Sequence, residues 1–373
     1  LREILKRADG TETKLIDNFR LLVYPKSPVL PEDARIKDIL PFLGGLNVEK
    51  NYIPAGQDIG FAKIFYERFK TIGNFIFGLR EAIEGHARQA KSTGTIVQDN
   101  LMAQDLKIKY PIAKGPMSSV SDVPQFIDAV ASWGALPFFA LSLLSGQKAK
   151  DLLSETKKLL EGKSWGVGVI GFAPKEIREE QFRLIEEIKP PVVLIAGGRP
   201  SQAKPLEKIG IKTFLHVPSV TLLDQYLKEG ARCFIFEGRE CGGHIGPLSS
   251  FVLWEQQINR LLAEDSEKPI FVFFAGGIHD AISSAMVSVM AAPLAAKGIR
   301  IGVLMGTAYL FTEEAVETGA ILNQFQALAV SGDETAVLES SPGHETRGLI
   351  TPYISYFESE KKRLIELGIP KKE

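Results

Sequence analysis

At 373 residues, 45% of them hydrophobic, the chain can bury one large core plus a smaller appendage. A formal net charge of -1 gives no general pull toward nucleic acid or an anionic membrane surface, and no apolar run approaches the roughly 20 residues that a bilayer crossing needs. Two cysteines, Cys233 and Cys241, cannot build a disulfide framework, so a reducing cytoplasmic setting is expected, and the five histidines are scattered without metal-ligand spacing.

No signal-peptide pattern opens the chain, which begins at Leu1 without a methionine and ends in Lys-Lys-Glu, pointing to a piece of something longer. Residues 1–107 read as a mostly helical lead-in. They offer a strand at Phe19 to Tyr24, proline-marked turns at Pro25, Pro28 and Pro31, and a long helical pattern from Asp58 to Lys91. Phe61, Ile64, Phe65, Phe69, Ile72, Phe75, Ile76 and Leu79 form an apolar stripe on that helix, expected as core of a small domain; His86, at its polar end, reads as a surface residue.

From Tyr110 onward, short apolar runs alternate with amphipathic stretches, the pattern of repeated βα units around a parallel sheet. Eight strands are expected: Pro111 to Lys114, Ala135 to Leu141, Trp165 to Gly171, Pro191 to Ala196, Ile211 to Val217, Arg232 to Glu237, Pro269 to Ala275 and Arg300 to Met305. Helical patterns lie between them at Val123 to Ser132, Lys148 to Leu160, Lys175 to Ile188, Leu222 to Glu229, Leu253 to Ala263 and Ala281 to Ala296. Strands rich in Val, Ile and Phe with little polar alternation need cover on both faces. The fold class is therefore α/β, a (β/α)8 TIM barrel over residues 108–330 with an N-terminal α+β extension, and with residues 331–373 as a C-terminal extension packing on the barrel. The runner-up is a doubly wound open sheet. Its fingerprint occurs as Gly166-Val167-Gly168-Val169-Ile170-Gly171, but these glycines lie inside a strand rather than between a strand and a helix. Gly168 is expected instead to leave room for a flat ligand over the barrel mouth.

Three consecutive strands end in small residues. The sixth opens into Glu237-Gly238-Arg239-Glu240-Cys241-Gly242-Gly243-His244-Ile245-Gly246-Pro247, the seventh into Gly276-Gly277-Ile278-His279-Asp280, and the eighth into Gly306-Thr307. Glycines let backbone N–H groups approach an anion closely, and an imidazole exchanges protons near neutral pH, so a phosphate cradle and a proton-transfer residue share one rim. His279 reads as a helix-start residue, and Cys241, without a neighbouring base, as no nucleophile.

These motifs, together with Pro111-Ile112-Ala113-Lys114-Gly115-Pro116-Met117, Ala275-Gly276-Gly277-Ile278, Met305-Gly306-Thr307-Ala308 and Gly343-His344-Glu345-Thr346-Arg347, resemble the flavin-dependent nitronate monooxygenase (2-nitropropane dioxygenase) family and its relative, the flavin-type enoyl-acyl carrier protein reductase. The resemblance runs from Lys109 to Arg347 and implies FMN as cofactor. It implies a phosphate on the backbone around Gly242, Gly243, Gly276, Gly277, Gly306 and Thr307, flanked by Ala275 and Met305, with the ring system against Gly115, Pro116 and Met117 and over Gly168. His244 is the first choice for proton transfer and His216 the second. One departure is glycine in the third strand where the family commonly has asparagine.

The expected activity is FMN-dependent oxidation of a small carbanion such as an alkyl nitronate. The alternative is enoyl-thioester reduction with NAD(P)H as reductant, in which acyl carrier protein or neighbouring domains of a polyketide or fatty-acid synthase-like protein are partners. A catalytically idle barrel module of such an assembly is the third reading. Small-molecule or acyl-thioester substrates are expected, with neither nucleic acid nor membrane as partner.

Overall fold

The computed structural model describes residues 1–29, 33–45, 47, 49–142, 144–341 and 344–369; Pro31 and Gly343, named above, lie outside the described residues. Two compact units divide the chain, Leu1–Gly85 and His86–Glu373. Among the described residues no helix is long and apolar enough to cross a membrane.

The second unit is a closed barrel of eight parallel strands: β1 (Ile112–Lys114), β2 (Leu136–Ala140), β3 (Gly166–Ile170), β4 (Val192–Ala196), β5 (Lys212–His216), β6 (Cys233–Glu237), β7 (Phe271–Ala275) and β8 (Arg300–Met305), with β8 closing on β1. The expected barrel is borne out, each observed strand falling within its expected run. Residues alternate between two apolar clusters, as a pleated strand covered on both faces requires. Phe139, Val167, Val193, Leu215, Phe234 and Val272 face the surrounding helices. Leu136, Phe138, Leu194, Phe214, Ile235 and Phe273 fill the barrel interior, joined by Met102 and Leu106 of the short helix Leu101–Leu106.

Helices α1 (Pro124–Ser132), α2 (Gly146–Leu159), α3 (Lys175–Ile188), α4 (Pro200–Lys208), α5 (Val220–Lys228), α6 (Ser250–Leu262) and α7 (Ala281–Ala296) follow β1 to β7 in turn. In α6 the buried set Ser250, Leu253, Trp254, Gln257, Ile258 and Leu261 repeats every three or four residues, one stripe pressed onto the sheet. Helix α4 has no counterpart among the expected helices. It is short, begins on Pro200 and carries Pro205 inside, so its periodicity is thin. Beyond the barrel, strands Thr335–Ser341 and His344–Leu349 form a hairpin, and His344–Leu349 pairs antiparallel with Gly243–Ile245 of the β6 loop.

In the first unit, Thr13–Ile16, Phe19–Leu22 and Ile53–Pro54 make a small antiparallel sheet. The single helix expected from Asp58 to Lys91 is instead broken into Ala62–Phe69 and Ile72–Thr93, with Lys70 at φ 58° between them. The rings of Phe65, Phe69 and Phe75 meet at 5.3–5.5 Å across this turn. Gly78 permits it, because a Cβ there would lie 2.6 Å from the Phe69 ring. The apolar stripe expected as core is largely exposed, Phe61 by 59%, Ile64 by 58% and Ile72 by 80%, since the hairpin spends only part of its apolar face on itself. His86 is at the surface, as expected.

Gly166 shows how tightly the interior is filled, for a Cβ there would come within 2.5 Å of the Phe138 ring and 3.2 Å of the Val192 carbonyl oxygen. Gly166→Ala is expected to destabilise the chain by about 1–3 kcal/mol in chemical denaturation. Gly348→Ala, whose methyl would meet nothing within 4 Å, is expected to cost far less. Equal losses would contradict this packing.

Candidate active site

The strand ends define a rim at which the interior layer is almost emptied. The inward positions there are Gly115, Ala140, Gly168, Ala196, His216, Glu237, Ala275 and Leu304, of which Leu304 on β8 is the one large apolar side chain. Gly168 does not leave open room over the mouth: a Cβ on it would sit 2.3 Å from Cβ of Pro116, so the proline ring already occupies that space. Proline and glycine together fold the β1 loop inward over β3.

The loops after β6, β7 and β8 meet on one side of this rim. A Cβ at Gly242 would lie 3.4 Å from Thr307 Oγ1, one at Gly277 would lie 3.4 Å from Glu240 Cβ, and one at Gly276 would lie 3.4 Å from both Cys241 Sγ and the Gly238 nitrogen. Met117 completes the ring, its Sδ 3.7 Å from the Cβ position of Gly306. The glycines do two different jobs. Gly238 and Gly276 are packing glycines, because Cβ atoms there would fall 2.0 and 2.2 Å from Ser250 Oγ at the start of α6. Gly243 (φ 76°) and Gly277 (φ 71°) are exposed and left-handed, and Gly242 and Thr307 are exposed beside them. This open, Cβ-free surface shared by three loops fits a phosphate group.

The nearest carboxylate does not spoil the fit. Glu240 is exposed, but its Oε2 is taken up by Ser250, accepting hydrogen bonds from the Ser250 backbone N–H at 2.7 Å and from the Ser250 hydroxyl. Burial pushes its pKa up, but the Ser250 hydrogen bonds, its own backbone N–H and the Arg347 charge outweigh burial and hold it below the usual carboxylate value. Arg239 grips Glu345 with both of its terminal nitrogens, and Arg347 Nε donates to the Arg239 carbonyl at 3.1 Å, so the terminal hairpin braces the cradle from outside. Cys241 is raised well above an ordinary thiol by burial first and by Glu237 and Glu240 next, which leaves it protonated and unreactive.

The two candidate imidazoles are placed differently. His244 sits exposed on the Gly243–Ile245 strand, its ring 5.7 Å from that of Phe172 in the β3 loop, so it reaches across the mouth. His216 stands at the inward end of β5, with Nδ1 2.8 Å from Oε2 of Glu237, their side chains 16% and 17% exposed. Glu237 has the sequence signal of an inward strand end, two residues beyond Ile235, yet sequence reasoning passed it over. His279 is exposed, its Nδ1 2.9 Å from the Gly277 carbonyl oxygen, just before the Asp280 cap of α7.

Lys114 was also missed. It is fully buried on the outward face of β1, its Nζ donating to Ser121 Oγ at 2.6 Å and lying 4.7 Å from the Phe126 ring centre. Ser121 Oγ accepts from the Met117 N–H and donates to the Gly115 carbonyl, so Lys114 anchors the β1 loop from behind.

A closed α/β barrel with an anion-fitting cradle after its last three strands is the class of protein these observations define. The family model for nitronate monooxygenase matches residues 178–371, just over half of the chain, and the chain belongs to that family, as its motifs led us to expect. Proteins of this family are flavin-dependent. The chain is 23% identical over 251 residues to (3aS,4S,5R,7aS)-5-hydroxy-7a-methyl-1-oxo-octahydro-1H-indene-4-carboxyl-CoA dehydrogenase of Rhodococcus jostii (strain RHA1), covering 67% of this chain and 65% of that protein, just under two thirds of that relative's length. Among solved structures, FabK from Thermotoga maritima is 27% identical with a TM-score of 0.57, over 68% of this chain and 75% of that one. Nitroalkane oxidase from Streptomyces ansochromogenes shares the fold, at 19% identity and a TM-score of 0.55 over 68% and 80% of the two chains.

Burial lowers the Lys114 pKa to about 7, opposed by the charge of Asp122. Above pH 7 the unfolded chain thus binds a proton that the folded chain has lost, so stability rises with pH between about 7 and 10.5. Lys114→Met is expected to remove that rise, worth roughly 3–5 kcal/mol by the linkage relation. Denaturation midpoints across this pH window check it. An unchanged slope would show that Lys114 is not the group responsible.

Proposed function

We propose that this chain is an FMN-dependent oxidoreductase that oxidises a small stabilised carbanion, of which an alkyl nitronate is the simplest example. The observation that carries the reading is the approach of two loops to the β6 loop on an exposed surface, Thr307 after β8 beside Gly242 and Gly277 after β7 beside Glu240. Backbone N–H groups around Gly242, Gly243, Gly276, Gly277, Gly306 and Thr307, with the Thr307 hydroxyl, would hold the phosphate, and Ala275 and Met305 would flank it. Gly115, Pro116 and Met117, carried on the loop that Lys114 anchors, would line the ring system, with Gly168 acting through the proline packed on it. Bound there, FMN supplies a two-electron acceptor. His244 above the mouth and His216 within it are the two groups placed to move a proton. Two cysteines without a disulfide accord with a reducing, cytoplasmic setting.

A second reading is enoyl-thioester reduction with NAD(P)H as reductant and with acyl carrier protein or neighbouring synthase domains supplying the substrate. It is favoured by two relatives in particular: a dehydrogenase named for a CoA thioester, and FabK, a flavin enoyl-acyl carrier protein reductase, which is closer in identity than the nitroalkane oxidase.

Titration of the purified chain with FMN, followed by anaerobic addition of an alkyl nitronate or of NADH and NADPH, separates the readings. Saturable flavin uptake with bleaching by the nitronate alone is expected. Bleaching by a reduced nicotinamide followed by reoxidation with an enoyl thioester would establish the second reading, and absence of flavin uptake would sink both. Gly277→Val, which forces a branched side chain into a left-handed position beside Glu240, is expected to weaken flavin binding at least tenfold in the same titration.

A further inference from the structure

The helix Ile72–Thr93 carries large apolar side chains at Ile72, Ile76, Leu79 and Ile83, an alternation of four- and three-residue steps that sets all four on one narrow stripe of its surface. They are 80%, 55%, 50% and 60% exposed, although a stripe of this kind forms to be covered. Closure of the hairpin does not cover it. Phe75 lies to one side of the stripe and meets the Phe65 and Phe69 rings at 5.5 and 5.3 Å, which uses a different face of the helix. From the helix Ala62–Phe69, Ile64 and Phe65 add side chains that are 58% and 47% exposed. Together with Leu79 they line an apolar groove of about 200 Å3 between the two helices, so stripe and groove form one continuous surface.

Two features of this surface select its occupant. The first is symmetry: the spacing reads the same from either end. A two-fold axis at the middle of the stripe therefore sets Ile72 of one copy against Ile83 of the other, and Ile76 against Leu79, apolar on apolar in every layer. Arg80, on the flank, then falls opposite Phe75 instead of a like charge, and it already pairs with Glu84 at 3.6 Å on its own helix. The second is size. At roughly 100 Å2 of exposed apolar surface per side chain, the stripe with Ile64 and Phe65 would bury about 1,200 Å2 over two copies, the lower end of what a specific, stable interface needs.

We infer that this face is a self-association surface, on which two copies of the chain pack their Ile72–Ile83 stripes antiparallel and join two helical hairpins into a four-helix arrangement. The inference does not involve the oxidoreductase site and stands or falls apart from it.

Sedimentation of the full chain over a concentration series from about 0.1 to 100 μM checks it. A concentration-dependent shift from one to two chain masses is expected. Ile76→Glu, which places a carboxylate in a central layer, is expected to weaken association by about 100-fold or more. Phe77→Glu, at a position 66% exposed but outside the stripe, is expected to change it by no more than about twofold. Ile76→Glu combined with Leu79→Lys is expected to recover most of the association, because the antiparallel register sets each introduced charge against its opposite on the partner, whereas a parallel one sets like against like. Circular dichroism checks that the helices persist. Should Ile76→Glu lose them, Ile72→Glu takes its place, at an 80% exposed position in the first turn where a carboxylate suits the helix dipole. A chain that stays monomeric throughout the series, association untouched by Ile76→Glu, equal loss in Phe77→Glu, or no recovery with the paired charges would overturn the inference. So would a monomer that instead co-floats with anionic phosphatidylserine vesicles, since Lys63, Arg68 and Lys70 on the hairpin would then mark a membrane surface as the occupant.

Discussion

A parallel barrel has to fill its own interior, and here the filling stops one layer short of the top. Phe138, Phe214 and Phe273 pack the middle, Met102 and Leu106 join them from the preceding helix, and the last inward layer is reduced to glycine and alanine on most strands. Everything at the site follows from that missing layer. Its thinness lets Pro116 fold in over Gly168 and leaves His216 and Glu237 as the inward groups with polar chemistry.

The cradle depends on a second constraint, the close approach of α6 to the ends of β6 and β7. Ser250 lies where the side chains of residues 238 and 276 would be, so both positions must be glycine before any ligand is considered. That approach in turn holds Glu240, whose Oε2 accepts from the Ser250 N–H and hydroxyl. Glycine motifs in such loops are commonly credited wholly to ligand contact. Here Gly238 and Gly276 serve packing, and the same approach of α6 ties Glu240 Oε2 to Ser250.

Much of this was legible in sequence because parallel strands covered on both faces read as unbroken Val, Ile and Phe runs. The eight runs, the strand location of Gly166 and Gly168 and the exposed position of His86 all follow from local pattern, while Gly171 falls just past the strand end. What escaped was set by partners far away in the chain. Helix α4 was hidden by Pro205, and the break at Lys70 is decided by three phenylalanine rings meeting across a turn. The terminal hairpin joins the cradle through register, His244 opposite Thr346, and through Arg239 and Glu345, 106 residues apart. The room expected over Gly168 was taken by a residue 52 positions earlier, Pro116.

Strand parity then separates two ionisable groups that look alike in one dimension. Lys114 and Glu237 are both the last residue of a barrel strand, and each follows an apolar run. Lys114 is out of phase with inward Ala113 and so points to α1, where Phe126 and Ser121 enclose it and no ligand can reach it. Its work is mechanical, holding the Gly115 and Met117 backbone in place through one hydroxyl. Glu237 is in phase with inward Ile235, faces the emptied layer and meets an imidazole there. One residue of phase decides whether a charge at a strand end braces the rim from behind or stands inside it, within reach of whatever binds.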